Sequence, residues 1–429
     1  MKYNAIDSSL FLENRKKYVA LLPEKAIAFF NSNDEMPRNG DANFLFRQQS
    51  DLFWLTGIDQ EQTILVVAPN HPIPEYREVL FVRKTNEHIA VWEGHKYTKE
   101  EARKQSGIQS VYWLEDFQTL LPVLMHHSST VFINLNENDR FVTEVPYRDE
   151  RFAAKLRAQY PNHAYDRSGP LMARLRAIKS ETEIQLMQTA CDITDKAFRR
   201  VLHFTKPEVH EYEIEAEIIH EFIRNRATGH AYTPIIASGP NACVLHYNDN
   251  NQPCKAGDVI LLDFGAEYAN YAADLSRSIP VSGKFSARQR DVYNAVLHVM
   301  RAAKKLLTVG NTIPKYHEEV GRIMEEQLIK LGLLDAEAVK KQDPKAPLYK
   351  KYFMHGTSHF LGLDVHDIGS RYEPMQAGMV FTCEPGIYIP EEGLGIRIEN
   401  DILITSKGPM DLMEKIPIDV EEIEALMAK

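Results

Sequence analysis

Four carboxylates in the C-terminal half of this chain, Asp263, Asp274, Glu384 and Glu399, fall into two pairs, with His359 between the pairs. Three of them sit in apolar sequence. Asp263 ends Val-Ile-Leu-Leu-Asp-Phe, Glu384 follows Met-Val-Phe-Thr-Cys, and Glu399 lies in Gly-Ile-Arg-Ile-Glu-Asn-Asp-Ile-Leu-Ile. Such runs read as buried strands, where charges are rare unless they are paired or ligate a metal. The segment from Asp263 to Asp274 has its midpoint between Tyr268 and Ala269; that from Glu384 to Glu399 has its midpoint between Glu391 and Glu392. Folded back as hairpins, both segments would set their carboxylates directly opposite each other on one face. Four carboxylates brought together repel one another unless cations sit between them. One imidazole among several carboxylate oxygens suits divalent ions of moderate hardness. Taken singly, Asp263 is ordinary turn chemistry and Glu399 a solvated strand residue. The conjunction points to a dinuclear metallohydrolase.

Global properties agree with a soluble enzyme of two domains. A chain of 429 residues exceeds one ordinary core. Its net charge of −10 argues against a nucleic-acid partner. No apolar run approaches the length of a membrane span, and the first ten residues lack the apolar core of a signal peptide. Cys191, Cys243, Cys254 and Cys383 show no C-x-x-C spacing and read as reduced packing residues. The expected compartment is the cytoplasm.

The chain is expected to divide near residue 170, into domains 1–170 and 171–429. The first part carries strand-like runs at 62–68, 78–83 and 130–135 and helical segments such as 10–30, a pattern that predicts an α/β layer domain. The Arg-, Ala- and Pro-rich stretch 151–176 serves as boundary zone, with Ser168-Gly169-Pro170 as its breaker. In the second part, Ser180 and Glu183 form a capping box ahead of a stripe through Ile184, Met187, Cys191 and Phe198. A second helix with Ile214, Ile218, Ile219 and Phe222 is expected to end at Gly229. After the first hairpin, Ser286 and Gln289 open another helix, with Val292, Val296 and Val299, that stops near Gly310, and 315–331 forms one more. Helix, helix and a carboxylate hairpin thus occur twice. The order predicts an internal pseudo-two-fold with the metal site where its halves meet, in an α/β (α+β) chain.

Several stretches carry a family resemblance. They are Leu-His-Tyr-Asn-Asp-Asn at 245–250, Leu-Asp-Phe-Gly at 262–265 with Ala-Asp-Leu-Ser-Arg at 273–277, and His-Gly-Thr-Ser-His-Phe-Leu-Gly-Leu-Asp-Val-His at 355–366. Thr-Cys-Glu-Pro-Gly-Ile-Tyr at 382–388 and Gly-Ile-Arg-Ile-Glu-Asn at 395–400 complete the set. Together they resemble the pita-bread metallopeptidases, the group holding methionine aminopeptidase, prolidase and aminopeptidase P. The run 43–57, Asn-Phe-Leu-Phe-Arg-Gln-Gln-Ser-Asp-Leu-Phe-Trp-Leu-Thr-Gly, is similar to the non-catalytic N-terminal domain of aminopeptidase P.

The resemblance implies a ligand set. Asp263 would chelate one metal, Asp274 and Glu399 would bridge two, and His359 and Glu384 would complete the other. The nucleophile would be a water or hydroxide shared by the two ions, most simply Mn²⁺, with Co²⁺ and Zn²⁺ also compatible with such ligands. His355 and His359 stand four apart, as on a zincin helix, but Gly356 replaces the zincin Glu and Gly362 argues against a long helix. The resemblance makes His359 the ligand, places His355 in the pocket, and gives His246 and His366 hydrogen bonds to the scissile amide. Glu384 is the preferred general acid/base. Arg397 reads either as a positive charge steadying the site or as half of a structural ion pair; on a strand it would share a face with Glu399. Tyr232 and Tyr388 read as aromatics for a proline pocket or as core.

The implied activity is removal of the first residue from peptides whose second residue is proline. An X-Pro amide has no N–H to offer a protease's backbone clamp, which favours a site acting on the carbonyl side. An Xaa-Pro dipeptidase shares these ligands and is the alternative, the 43–57 run favouring the aminopeptidase. A non-catalytic peptide-binding module on the same fold is the remote one. The resemblance also implies a homodimer or homotetramer.

Overall fold

The computed structural model describes residues 3–138 and 140–428. These form two compact units that divide between Leu175 and Arg176.

The first unit is built on a six-stranded mixed sheet. In spatial order its strands are Ser110–Trp113, Glu78–Val82, Ile64–Val67, Ala26–Asn31, Thr130–Ile133 and Ala164–Arg167. The Ala26–Asn31 strand pairs antiparallel with Ile64–Val67 and parallel with Thr130–Ile133. All six of its residues are buried, because both faces of the sheet are covered. Ile27 and Phe29 pack with Phe117, Leu121 and Leu124 of the Phe117–His126 helix and with Ala153 and Leu156 of the Arg148–Gln159 helix. On the opposite face Phe30 meets Tyr18 edge-on at 5.2 Å. Burial of each such side chain contributes about 1.5–3 kcal/mol.

The helix expected over 10–30 is therefore half a helix. It runs from Ser9–Val19, and the remainder becomes the central strand. Pro23 lacks the N–H a continuing helix needs, and Lys25, at φ 58°, turns the chain into the sheet. The boundary stretch 151–176 is regular structure, holding most of the Arg148–Gln159 helix, the Ala164–Arg167 strand and the Gly169–Arg176 helix.

In the second unit, Ser180 and Glu183 cap the Glu181–Phe204 helix reciprocally, and Ser286 and Gln289 do the same for Ala287–Leu306. The Glu211–Arg224 helix stops short of Gly229. Asn225 donates from its side-chain amide to the Glu221 carbonyl at 2.8 Å, and Arg226 takes φ 72°, so the chain has already turned when Gly229 opens a short strand. Strands Ile235–Ser238, Val259–Phe264 and Leu275–Pro280 form one three-stranded antiparallel sheet. After the Ala287–Leu306 and Ile313–Lys330 helices come Val380–Cys383, Asn400–Thr405 and Gly408–Asp411 as another, beside the hairpin of Gly386–Ile389 with Leu394–Arg397. Two helices followed by antiparallel strands thus occur twice in chain order.

Candidate metal centre

The first hairpin differs from the midpoint expectation by two residues. Its ladder pairs Asp263 with Ser276, not with Asp274. The turn centres on Ala269 and Asn270, both left-handed at φ 52° and 64°, one residue later than the arithmetic placed it. Asp274 lies just outside the Leu275–Pro280 strand, at a break where Gly265 lets the chains touch; a Cβ on Gly265 would lie 1.7 Å from the Ala273 carbonyl oxygen. Because the offset is even, Asp274 and Ser276 keep one side of the pleat, and the two aspartates still meet. The Tyr232 hydroxyl lies 2.6 Å from Asp263 Oδ1 and 2.5 Å from Asp274 Oδ1.

The second hairpin follows its midpoint. Cys383 opposite Asn400 and Gly386 opposite Arg397 put Glu384 across from Glu399, between the two ladders. The return is a short 3₁₀ turn, Pro390–Glu392, closed by Gly393 at φ 60°. Glu399 is 2 % exposed and its Oε2 accepts from the Ser276 hydroxyl at 2.7 Å. Arg397 ends the Leu394–Arg397 strand, with Glu399 two residues beyond in the gap before Asn400–Thr405. Its guanidinium donates to Asp263 Oδ2 at 2.6 Å, to the Tyr388 hydroxyl at 2.9 Å and to Ser276 Oγ at 2.9 Å. The positive charge and the ion pair read from the sequence are thus the same contact.

Two histidines have their tautomers set by carbonyls, which can only accept. His359 donates from Nδ1 to the Phe360 carbonyl at 3.0 Å, leaving Nε2 3.4 Å from Asp274 Oδ2 and 3.8 Å from Glu384 Oε1. His355 donates from Nδ1 to the Gly356 carbonyl at 2.7 Å, and its Nε2 accepts from the Tyr388 hydroxyl at 2.8 Å. An Arg397–Tyr388–His355 relay results. Burial, with Arg397 nearby, pushes the His355 imidazole down to about 3 and keeps it neutral. His366 meets the His359 ring edge-on at 4.3 Å. His246 is exposed in the turn after Gly239–Cys243 and, among the described residues, is not drawn into the hydrogen-bonded cluster.

Asp274, His359 and Glu399 each offer a ligand atom, and these atoms lie within 4.8 Å of one another. Asp263 and Glu384 border that group through Tyr232 and His359. Burial and mutual repulsion raise Glu384 to about 7 and hold Asp274 and Glu399 above the usual carboxylate range. Carboxylates this crowded retain protons until cations replace them, so the donor set fits divalent metal. Among the contacts that shape it, Tyr232, Ser276 and Tyr388 act through hydroxyls that composition and spacing did not reveal. Ser276 had one available signal: it stands two residues from Asp274, on the same side of a strand.

Residues 185–406 match the model of metallopeptidase family M24, and residues 11–132 match the aminopeptidase P N-terminal domain. The chain is 35 % identical over 430 residues to the Xaa-Pro aminopeptidase of Haemophilus influenzae, covering 97 % of this chain and 96 % of that protein. It is similar to the solved aminopeptidase PepP of Pseudomonas aeruginosa (31 % identity, TM-score 0.89, 99 % and 98 % of the two chains). It is also similar to zinc-substituted Escherichia coli aminopeptidase P in complex with product (31 % identity, TM-score 0.88, 99 % of both chains).

Proposed function

The chain is a hydrolase belonging to metallopeptidase family M24, and from that membership we propose that it releases the N-terminal residue from peptides whose second residue is proline. The observation that carries this reading is the convergence of Asp274, His359 and Glu399 within 4.8 Å, beside Asp263 and Glu384. These five would hold two divalent ions, and Mn²⁺ suits a set dominated by hard oxygens with one imidazole. Held by these residues, such ions would supply Lewis acidity and a water whose pKa is lowered toward ~7.

The remaining work falls to side chains. Glu384, with Oε1 3.8 Å from His359 Nε2 at the edge of that group, is placed to take a proton from the attacking water and pass it to the leaving proline nitrogen. Arg397 neutralises Asp263 and, through Tyr388, holds the His355 ring. Both His355 nitrogens are engaged by protein, so the substrate contact on this side falls to His366, edge-on to His359, with His246 at the exposed rim.

The similarity of residues 11–132 to the aminopeptidase P N-terminal domain, and the names of the relatives, favour the aminopeptidase over an Xaa-Pro dipeptidase. A cytoplasmic location and a homo-oligomer complete the proposal. No helix of the described residues is long and apolar enough to cross a membrane. Comparing an X-Pro-Pro peptide with a bare X-Pro dipeptide, each with Mn²⁺-loaded protein, tests the reading. Cleavage of the longer peptide supports it, cleavage of the dipeptide alone reassigns the chain as a dipeptidase, and cleavage of neither refutes it.

A further inference from the structure

Asp401, in the Asn400–Thr405 strand, is 0 % exposed and lies two residues past Glu399. Its Oδ2 accepts the Asp274 backbone N–H at 3.1 Å and the Cys191 thiol of the Glu181–Phe204 helix at 3.4 Å. Its Oδ1 is buried with no hydrogen-bond partner among the described residues. A carboxylate buried this deeply, with so few donors, is destabilising for the fold as such, so its placement calls for another explanation.

The Asp274 amide supplies one. Asp274 lies outside the strand ladder, at the break opposite Gly265, where the first paired residue is Leu275. Its N–H has left the ladder and is taken by Asp401 instead. Alongside, the Glu399 N–H donates to the Ser276 carbonyl at 3.0 Å, and the Ser276 hydroxyl donates to Glu399 Oε2 at 2.7 Å. With Arg277 donating to the Glu399 carbonyl and to Asn400 Oδ1, each at 2.7 Å, and Arg397 donating to Ser276 Oγ at 2.9 Å, a hydrogen-bonded seam ties the segment carrying Asp274 to the segment carrying Glu399. Of these bonds among the described residues, the one to Asp401 holds the backbone of Asp274 itself, whereas Tyr232 and His359 meet its side chain.

We propose that Asp401 is a positioning residue for the metal centre: by accepting the Asp274 amide it fixes the separation of Asp274 and Glu399, with the Cys191 thiol orienting its carboxylate. The inference rests on the reading of Asp274 and Glu399 as metal ligands. Partners that orient a ligand typically change metal affinity 10–100-fold when removed. Mn²⁺ binding to the stripped full-length protein is measured by calorimetry, and the spectrum of the bound pair by electron paramagnetic resonance, for wild type, Asp401→Ala and Asp401→Asn. Asp401→Ala is expected to weaken Mn²⁺ binding about 10–100-fold and to lose the coupled-pair spectrum. Asp401→Asn, which retains an acceptor oxygen, restores both. Should Asp401→Ala fail to fold, Asp401→Ser, whose hydroxyl stops one atom short of the amide, carries the same expectation. Wild-type affinity and spectrum in the folded Ala or Ser variant, whatever its melting temperature, would overturn the inference alone. A wild-type protein that binds no Mn²⁺ would overturn the ligand reading, and the inference with it.

Discussion

Replacing Arg397 with methionine keeps the aliphatic stem and removes the charge. Arg397 is 4 % exposed, and its loss leaves Asp263 without the partner 2.6 Å away. It also leaves Tyr388 and Ser276 without their donor. Removing one member of a buried ion pair costs about 3–5 kcal/mol, because the other charge stays buried and uncompensated. In a unit of this size each kcal/mol moves the melting temperature by about 2–4 °C, so R397M is expected to lower the metal-free melting temperature by roughly 6–20 °C. Divalent ions bound at Asp263 would supply the missing positive charge, so the loss with saturating Mn²⁺ should be markedly smaller. Scanning calorimetry of both proteins in EDTA and in Mn²⁺ gives the four numbers needed. The reasoning is refuted if R397M melts with the wild type in EDTA, or if metal leaves the difference unchanged.

Further outcomes follow from the same physics. Burial pushes Asp149 up to about 8, its carboxylate accepting from Asn31 at 2.7 Å. A folded pKa above the unfolded one adds stability that is complete at low pH and lost as pH rises toward 8; Asp149→Asn should therefore gain on wild type between pH 5 and 9, and parallel melting curves would contradict this. Because Glu384 is raised to about 7 and Asp274 and Glu399 are raised too, Mn²⁺ must displace protons. Its affinity should climb from pH 5.5 to 7.5 with proton release seen by calorimetry in two buffers, and a pH-independent affinity would speak against the crowded-carboxylate account. Val91 and Trp92, 81 % and 79 % exposed on the Glu87–Glu93 helix, support the proposed self-association. Trp92→Asp should lower the mass measured by light scattering, and a wild-type monomer at micromolar concentration would contradict that.

The two hairpins show what periodicity reveals and where it stops. Glu384 and Glu399 could be paired from sequence because the ladders on either side keep one register through the turn. The same count puts Asp263 and Asp274 on the face they share but pairs Asp263 two residues short of its partner, Ser276. The shift comes from left-handed residues at Ala269 and Asn270, which a count of residues does not see. The capping boxes at Ser180 and Ser286 were legible because their chemistry is local. The 10–30 segment is ambiguous in sequence since an apolar run suits a helix or a buried strand equally, and the sheet around Ala26–Asn31 decides. Ser276 and Asp401 each stand two residues from a carboxylate of the set, but the contacts that they, Tyr232 and Cys191 make join segments far apart in sequence, which spacing alone does not reveal.

The most direct test of the central claim pairs a peptide beginning X-Pro-Pro with its X-Ala-Pro analogue, each incubated with EDTA-stripped and Mn²⁺-reloaded protein and followed by mass spectrometry. The account predicts loss of one N-terminal residue from the X-Pro-Pro peptide alone, and only from the reloaded protein. Equal cleavage of both peptides, or cleavage that survives stripping, would contradict it.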